Sequence, residues 1–234
     1  MKKIFEWFMS LFSSAKDVPT IPKEETPVVL IKTEATQVTG PFSKLRPNCH
    51  GIDISHHNEK VDFDKLKQSF IFMKATEGAK FVSPVFKVRM KEAAKRNIPC
   101  GAYHYFKPGV DPLVQAKHFC NILSTEGMGD LPAVCDIEEM NGQSKAQLIE
   151  DLEIFLRYVK YYTNAMPMIY SGYSFLVELN LPESFSQYPL WLAWYADREK
   201  LKAPAPWKEW TFWQYSESEI VDGVGKCDVN LFKQ

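Results

Sequence analysis

Asp136 and Glu138 stand two residues apart at the end of an apolar run, Leu131-Pro132-Ala133-Val134-Cys135-Asp136-Ile137-Glu138. Read as a β-strand, the run alternates its side chains between two faces. Val134, Asp136 and Glu138 share one face, and Cys135 and Ile137 share the other. Two residues of strand rise put the carboxyls about 6.5–7 Å apart along the chain. Neighbouring carboxyls in a cleft do not ionise independently, and one pKa rises. A protonated acid then stands beside a charged partner near neutral pH, which is the pairing that glycoside cleavage requires. A solvated acidic turn can carry the same D-x-E spelling, so the motif depends on its company.

That company comes from other apolar segments. Gly51-Ile52-Asp53-Ile54-Ser55 sets an Asp in the middle of a strand-like run, where burial is costly unless the group is paired or used. Cys227-Asp228-Val229-Asn230 sets another near the C-terminus, and Lys74-Ala75-Thr76-Glu77-Gly78 ends a third run with a carboxylate. Aromatic residues recur at matching places: Tyr103, Tyr105, Tyr170, Trp194, Tyr195, and Trp213-Gln214-Tyr215. Aromatic faces stack on the apolar faces of sugar rings, and their polar edges hydrogen-bond hydroxyls. His56, His57 and His104 lie near strand ends without metal-ligand spacing and are read as structural. The five cysteines are odd in number, widely spaced and free of C-x-x-C pairs. They are expected as buried apolar residues rather than as a disulfide framework or zinc site, and neither a metal nor a cofactor is expected.

The elements that must position these groups alternate in type. Candidate strands are Gly51–Ser55, Phe70–Thr76, Pro99–Phe106, Leu131–Glu138, Met166–Ser171, Leu190–Tyr195, Thr211–Tyr215 and Cys227–Phe232. The first five are separated mostly by helical patterns. Ser83-Pro84 and Asp111-Pro112 read as helix starts, and Ser144-x-x-Gln147 reads as a capping box. Strand–helix alternation implies parallel strands with right-handed crossovers, and eight strands suggest closure into a barrel. The late strands lack intervening helices, so an α/β, irregular TIM-like (β/α)5(β)3 barrel is expected over residues 49–234. In such a barrel the first and last strands are neighbours, so Asp53 and Asp228 could approach each other.

Three segments are expected. Residues 1–16 begin Met1-Lys2-Lys3 and continue through Ile4–Phe12 into small residues, which resembles a secretory signal, although Glu6 interrupts it. Ile4, Phe8, Leu11 and Phe12 also share one helical face, which fits an amphipathic helix on a membrane surface. Residues 17–48 read as a Pro/Thr-rich linker. The net charge of −1 gives no field for nucleic acid.

With these stretches in order, the chain resembles the glycoside hydrolase family 25 lysozymes, or N-acetylmuramidases. The matching segments are Gly51–Ser55, Met73–Gly78, Gly101–Phe106, Asp136–Glu138, Ile169–Ser171, Leu190–Tyr195, Trp213–Tyr215 and Asp228–Asn230. The resemblance implies hydrolysis of the β-1,4 bond between N-acetylmuramic acid and N-acetylglucosamine in peptidoglycan glycan strands. Glu138 matches the general acid/base, and Asp136, Asp53 and Asp228 match the other active-site acids. Glu77, Tyr103, Tyr105, Tyr170, Trp194, Tyr195 and Gln214 are expected to bind substrate. A monomer acting outside the cell or in its envelope follows as an expectation, with membrane contact through residues 1–16. The rival readings are a hydrolase of another amino-sugar polymer, a non-catalytic carbohydrate-binding barrel, and a membrane-anchored interaction protein. The longer D-x-x-D-x-D-x-E run of family 18 chitinases is absent around Asp136.

Overall fold

A computed structural model describes residues 40–195 and 197–233. The signal-like segment 1–16 and most of the linker stretch lie outside the described residues. Among the described residues no helix is long and apolar enough to cross a membrane.

The strands are β1 (His50–Ile54), β2 (Ile71–Glu77), β3 (Phe81–Val82), β4 (Cys100–Tyr105), β5 (Val134–Asp136), β6 (Met168–Gly172), β7 (Leu190–Ala193), β8 (Phe212–Val221) and β9 (Gly225–Phe232). The helices are α1 (Phe86–Lys95), α2 (Pro112–Glu126), α3 (Lys145–Thr163) and α4 (Tyr173–Leu179). The sheet runs β1-β9-β8-β7-β6-β5-β4-β2-β3, and a β1–β2 pairing closes it into an eight-stranded barrel with β3 on the rim. Neighbours from β1 through β2 and β4 to β8 pair in parallel, while β9 runs antiparallel between β8 and β1. This is the irregular barrel expected, with one difference: turns rather than a helix join β1 to β2.

Strand alternation sorts the core into two layers. Ile52, Ile54, Met73, Cys135, Ile169 and Leu192 face outward into one cluster with α1–α4. Phe70, Phe72, Val134, Met168, Trp191, Phe212 and Phe232 fill the barrel interior. Phe72 stacks on Trp191 with centroids 4.6 Å apart and meets Phe212 edge-on at 5.2 Å. Glycines make room for these rings: a Cβ on Gly51 would fall 2.4 Å from the Phe70 ring, and one on Gly101 would fall 2.6 Å from Phe72.

Residues 40–48 were expected in the linker, yet they pack on the end where the parallel strands begin. Phe42 lies 5.6 Å from Phe212 and 5.5 Å from Phe232, and Leu45 is buried in the same cluster. These two side chains supply the apolar area by which this end of the Pro/Thr-rich stretch joins the core.

The helix starts differ in kind. Asp111 caps α2, accepting from Leu113 N–H at 2.8 Å and Val114 N–H at 3.0 Å, with Pro112 at the first helical position. Ser144 caps α3 through Gln147 N–H, but the Gln147 amide turns to Asp151 instead of completing the box. The Ser83-Pro84 start is displaced. The helix begins at Phe86 after an uncapped Val85, and the Ser83 hydroxyl has no partner.

Candidate active site

The parallel strands all finish at one mouth, and the acids meet there. Asp53 and Asp228 are directly opposite in the β1–β9 ladder. Asp136 is the last residue of β5, held by hydrogen bonds from Phe106 N–H to its own carbonyl at 2.8 Å and from Ile137 N–H to the Tyr170 carbonyl at 3.0 Å. The strand expected to reach Glu138 therefore stops two residues earlier. Glu138 lies in the following loop and is exposed, yet its side chain turns back to hydrogen-bond Asp136. A cavity of about 90 Å³ is lined by Asp53, Tyr103, Asp136, Glu138, Tyr170, Trp191 and Asp228.

Burial is the main influence on every acid here. It raises Asp53 to about 8, helped by the negative charge of Asp228. Burial, then the Glu138 charge, pushes Asp136 well above the usual carboxylate range. Burial also raises Glu138, opposed by its hydrogen bond to Asp136 and by the Lys74 charge. Oδ1 of Asp136 is buried with no donor. Burial and the mutual repulsion of the two charges thus favour retention of a proton at the Asp136–Glu138 pair.

Lys74 is a cation whose charge acts on both members of this pair, and it was not singled out as a site residue. It occupies the inward position after Phe72 on β2, buried, with Nζ 2.6 Å from Glu77 and 4.7 Å from the centre of the Tyr105 ring. An ionised side chain in an otherwise apolar strand interior was the signal that could have found it. Burial alone would raise Glu77, but the hydrogen bond and charge of Lys74, with Lys107, hold it below the ordinary glutamate value. Glu77 thus binds the lysine rather than lining the cavity.

The aromatic residues divide. Tyr103 and Tyr170 line the cavity, and burial followed by the nearby carboxylates keeps both phenols protonated. Trp191, not predicted, lines it too, because inward alternation on β7 selects Trp191 rather than Trp194. Trp194 packs on Tyr173 with centroids 4.0 Å apart, outside the cavity lining. Tyr105 sits between two lysines, 4.7 Å from Lys74 and 4.6 Å from Lys107. Tyr195 is half exposed at the rim. Tyr215 points outward to His50, whose Nδ1 is 3.0 Å from its hydroxyl. Gln214, expected at the sugar, is buried beneath the cavity with its amide already engaged by Tyr170, Tyr195 and Asp53. His104 is structural as expected: buried, 2.7 Å from Thr76 Oγ1 and stacked on Phe155. All five cysteines are free, and Cys135 and Cys227 face away from the neighbouring acids into the outer layer.

A larger groove of about 440 Å³ runs along α1. Its two arginines are already engaged, Arg96 on Glu92 and Asp64, and Arg89 on the carbonyls of Ser55 and Asn58. The smaller mouth, by contrast, gathers four carboxyls, those of Asp53, Asp136, Glu138 and Asp228.

The profile of glycosyl hydrolases family 25 matches residues 52–224, nearly the whole barrel. The chain belongs to this family. Among its relatives, YegX of Escherichia coli strain K12, an uncharacterized protein, is 36% identical over 192 residues, covering 78% of this chain and 69% of YegX. Lysozyme M1 of Streptomyces globisporus is 30% identical over 202 residues, covering 78% of this chain and 67% of that enzyme. The crystal structure of the bacterial lysozyme from Streptomyces coelicolor superimposes with a TM-score of 0.73 at 27% identity, covering 80% of this chain and 93% of that one.

Proposed function

We propose that this family 25 protein is a lysozyme, hydrolysing the β-1,4 bond between N-acetylmuramic acid and N-acetylglucosamine in peptidoglycan. The observation that carries the reading is the hydrogen-bonded Asp136–Glu138 pair at the mouth of an acid-lined cavity. The names of the relatives, lysozymes among them, support it.

Glu138 is the accessible member of the pair and is assigned as the general acid that protonates the glycosidic oxygen. Asp136, buried beneath it, would stay close to the reacting sugar without reaching the leaving group. Two carboxyls within hydrogen-bonding distance are closer than the ~5–5.5 Å that separates acid from nucleophile in a retaining pair. That spacing favours the substrate's own acetamido carbonyl as nucleophile, with Asp136 orienting the acetamido group. Asp53 and Asp228 would complete the acid wall. Tyr103, Tyr170 and Trp191 would hold the sugar, with Tyr195 at the rim. Action on a cell wall implies an extracellular or envelope location. The segment 1–16 as signal or membrane contact, 17–48 as tether, and a monomeric barrel complete the proposal.

Digestion of purified peptidoglycan, with mass analysis of the released ends, tests the reading. N-acetylmuramic acid at the new reducing ends with β configuration retained is expected. Release of N-acetylglucosamine ends, cleavage of chitin alone, or sugar binding without any cleavage would overturn it.

A further inference from the structure

Two buried amides, Gln214 and Asn230, stand beneath the acids and do not line the cavity. They are register partners on β8 and β9. The Trp191 indole N–H can only donate, and it lies 2.7 Å from Asn230 Oδ1. That contact fixes the amide's orientation and turns its Nδ2 toward Asp53 Oδ2 at 2.8 Å. Gln214 repeats the arrangement. Its Oε1 receives the hydroxyls of Tyr170 at 2.8 Å and Tyr195 at 2.6 Å, and its Nε2 donates to the same Asp53 Oδ2 at 2.9 Å. One oxygen of Asp53 therefore accepts two N–H groups whose directions are set by three aromatic residues.

Taking the cleft as the glycan-cleaving site proposed above, we infer that Gln214 and Asn230 are positioning residues that hold Asp53 Oδ2 as a bare acceptor and so direct the proton shared with Asp228 onto the oxygen between the two carboxyls. An oxygen that already accepts two N–H bonds is the poorer place for a proton. Asp228 is hydrogen-bonded to Asp53 through its side chain, and Oδ1 is the Asp53 oxygen that the two amides leave free for that proton. The dyad thus presents one fixed arrangement of charge to the sugar instead of two. Other groups facing it are Tyr103 from β4, Asp136 and Glu138 from the end of β5, Tyr170 from β6, and Tyr195 beyond β7. Glu217 and Lys226 act on Asp228 from β8 and β9, and the Cys227 thiol lies 3.5 Å from the Asp53 carbonyl.

The test is a carbon-13 carboxyl titration of Asp53 and Asp228 in the full chain, run beside the pH–rate profile on purified peptidoglycan. Gln214→Met keeps the length and removes the donor. The dyad's midpoint should move up by about one pH unit, because a hydrogen bond to the charged form is lost. The pH–rate limb should move with it, while KM changes less than about two-fold. An unmoved midpoint in folded variant, or a raised KM with the profile intact, would overturn the inference and make Gln214 a sugar contact. If Gln214→Met does not fold, the near-isosteric Asn230→Leu removes the second donor without adding a charge, and the same upward movement is required of it. A wild type that fails to cleave peptidoglycan while the midpoints still move would sink the hydrolase reading and leave the positioning role standing.

Discussion

Where the parallel strands begin, the inward positions hold Phe70, Phe72, Phe212 and Phe232, packed ring on ring and covered by Phe42 and Leu45. Where they finish, the same inward rows carry Asp53, Lys74, Asp136, Gln214 and Asp228. On β2 the change takes one inward step, from Phe72 to Lys74, and on β5 from Val134 to Asp136. The lower layer stabilises the barrel by burying apolar area. The upper layer costs stability by desolvating charge, and it is tolerated because the lower layer fixes the backbone that brings the acids together. Structure and chemistry are separated along the barrel axis rather than between domains.

Substitutions at the two ends should therefore fail in opposite ways. The largest effect is expected for Glu138→Gln, which should lower kcat on peptidoglycan by about 10³-fold with an unchanged melting temperature. Activity within a few-fold of wild type would remove Glu138 from the acid role. At the other end, Phe72→Ala should destabilise the fold by about 3–5 kcal/mol in denaturant titration. The activity of the molecules that remain folded should be spared. A specific loss of kcat in Phe72→Ala would mean that the ends are not separable.

Asp53→Asn sharpens the comparison through pH. The folded-state pKa of Asp53 is raised to about 8, so the folded protein binds more protons than the unfolded chain from about pH 4 to pH 8. The stability from that proton is complete below about pH 4 and drains as pH climbs through 8. The variant should lose activity, and at pH 8 it should be more stable than wild type by about 1 kcal/mol or more. The advantage should shrink toward pH 5; equal stability at both pH values would contradict the burial of an ionisable Asp53. The smallest effect is expected for Lys74→Met. Removing a cation that lowers both Asp136 and Glu138 should move the pair's titration upward by about one unit or less, visible in the pH–rate profile.

Much of this was legible from local pattern. Period-two alternation put Asp136 on the strand face of Val134, which the barrel turns inward, and the Asp111-Pro112 start appeared where expected. What was misread depended on distant partners. Tyr215 and Trp194 share the local texture of Tyr170 and Trp191, but the strand faces at β7 and β8 turn them away from the mouth. Gln214 looked like a polar edge for a sugar until three neighbours were seen to occupy its amide. Residues 40–48 looked like linker because two apolar anchors in a polar stretch carry little periodicity.

The sequence by itself determined the alternation of strands and helices and the strand face that Asp136 shares with Val134, because periodicity is a local property of the backbone. The first and last strands were expected to be neighbours, but only the tertiary structure decided that β9 runs antiparallel there, in the register that sets Asp228 opposite Asp53 and Asn230 opposite Gln214. Only it decided that Glu138 turns back to Asp136 after leaving its strand. Closure of the sheet joins residues some 175 positions apart, and no local preference encodes which carboxyls then share a proton.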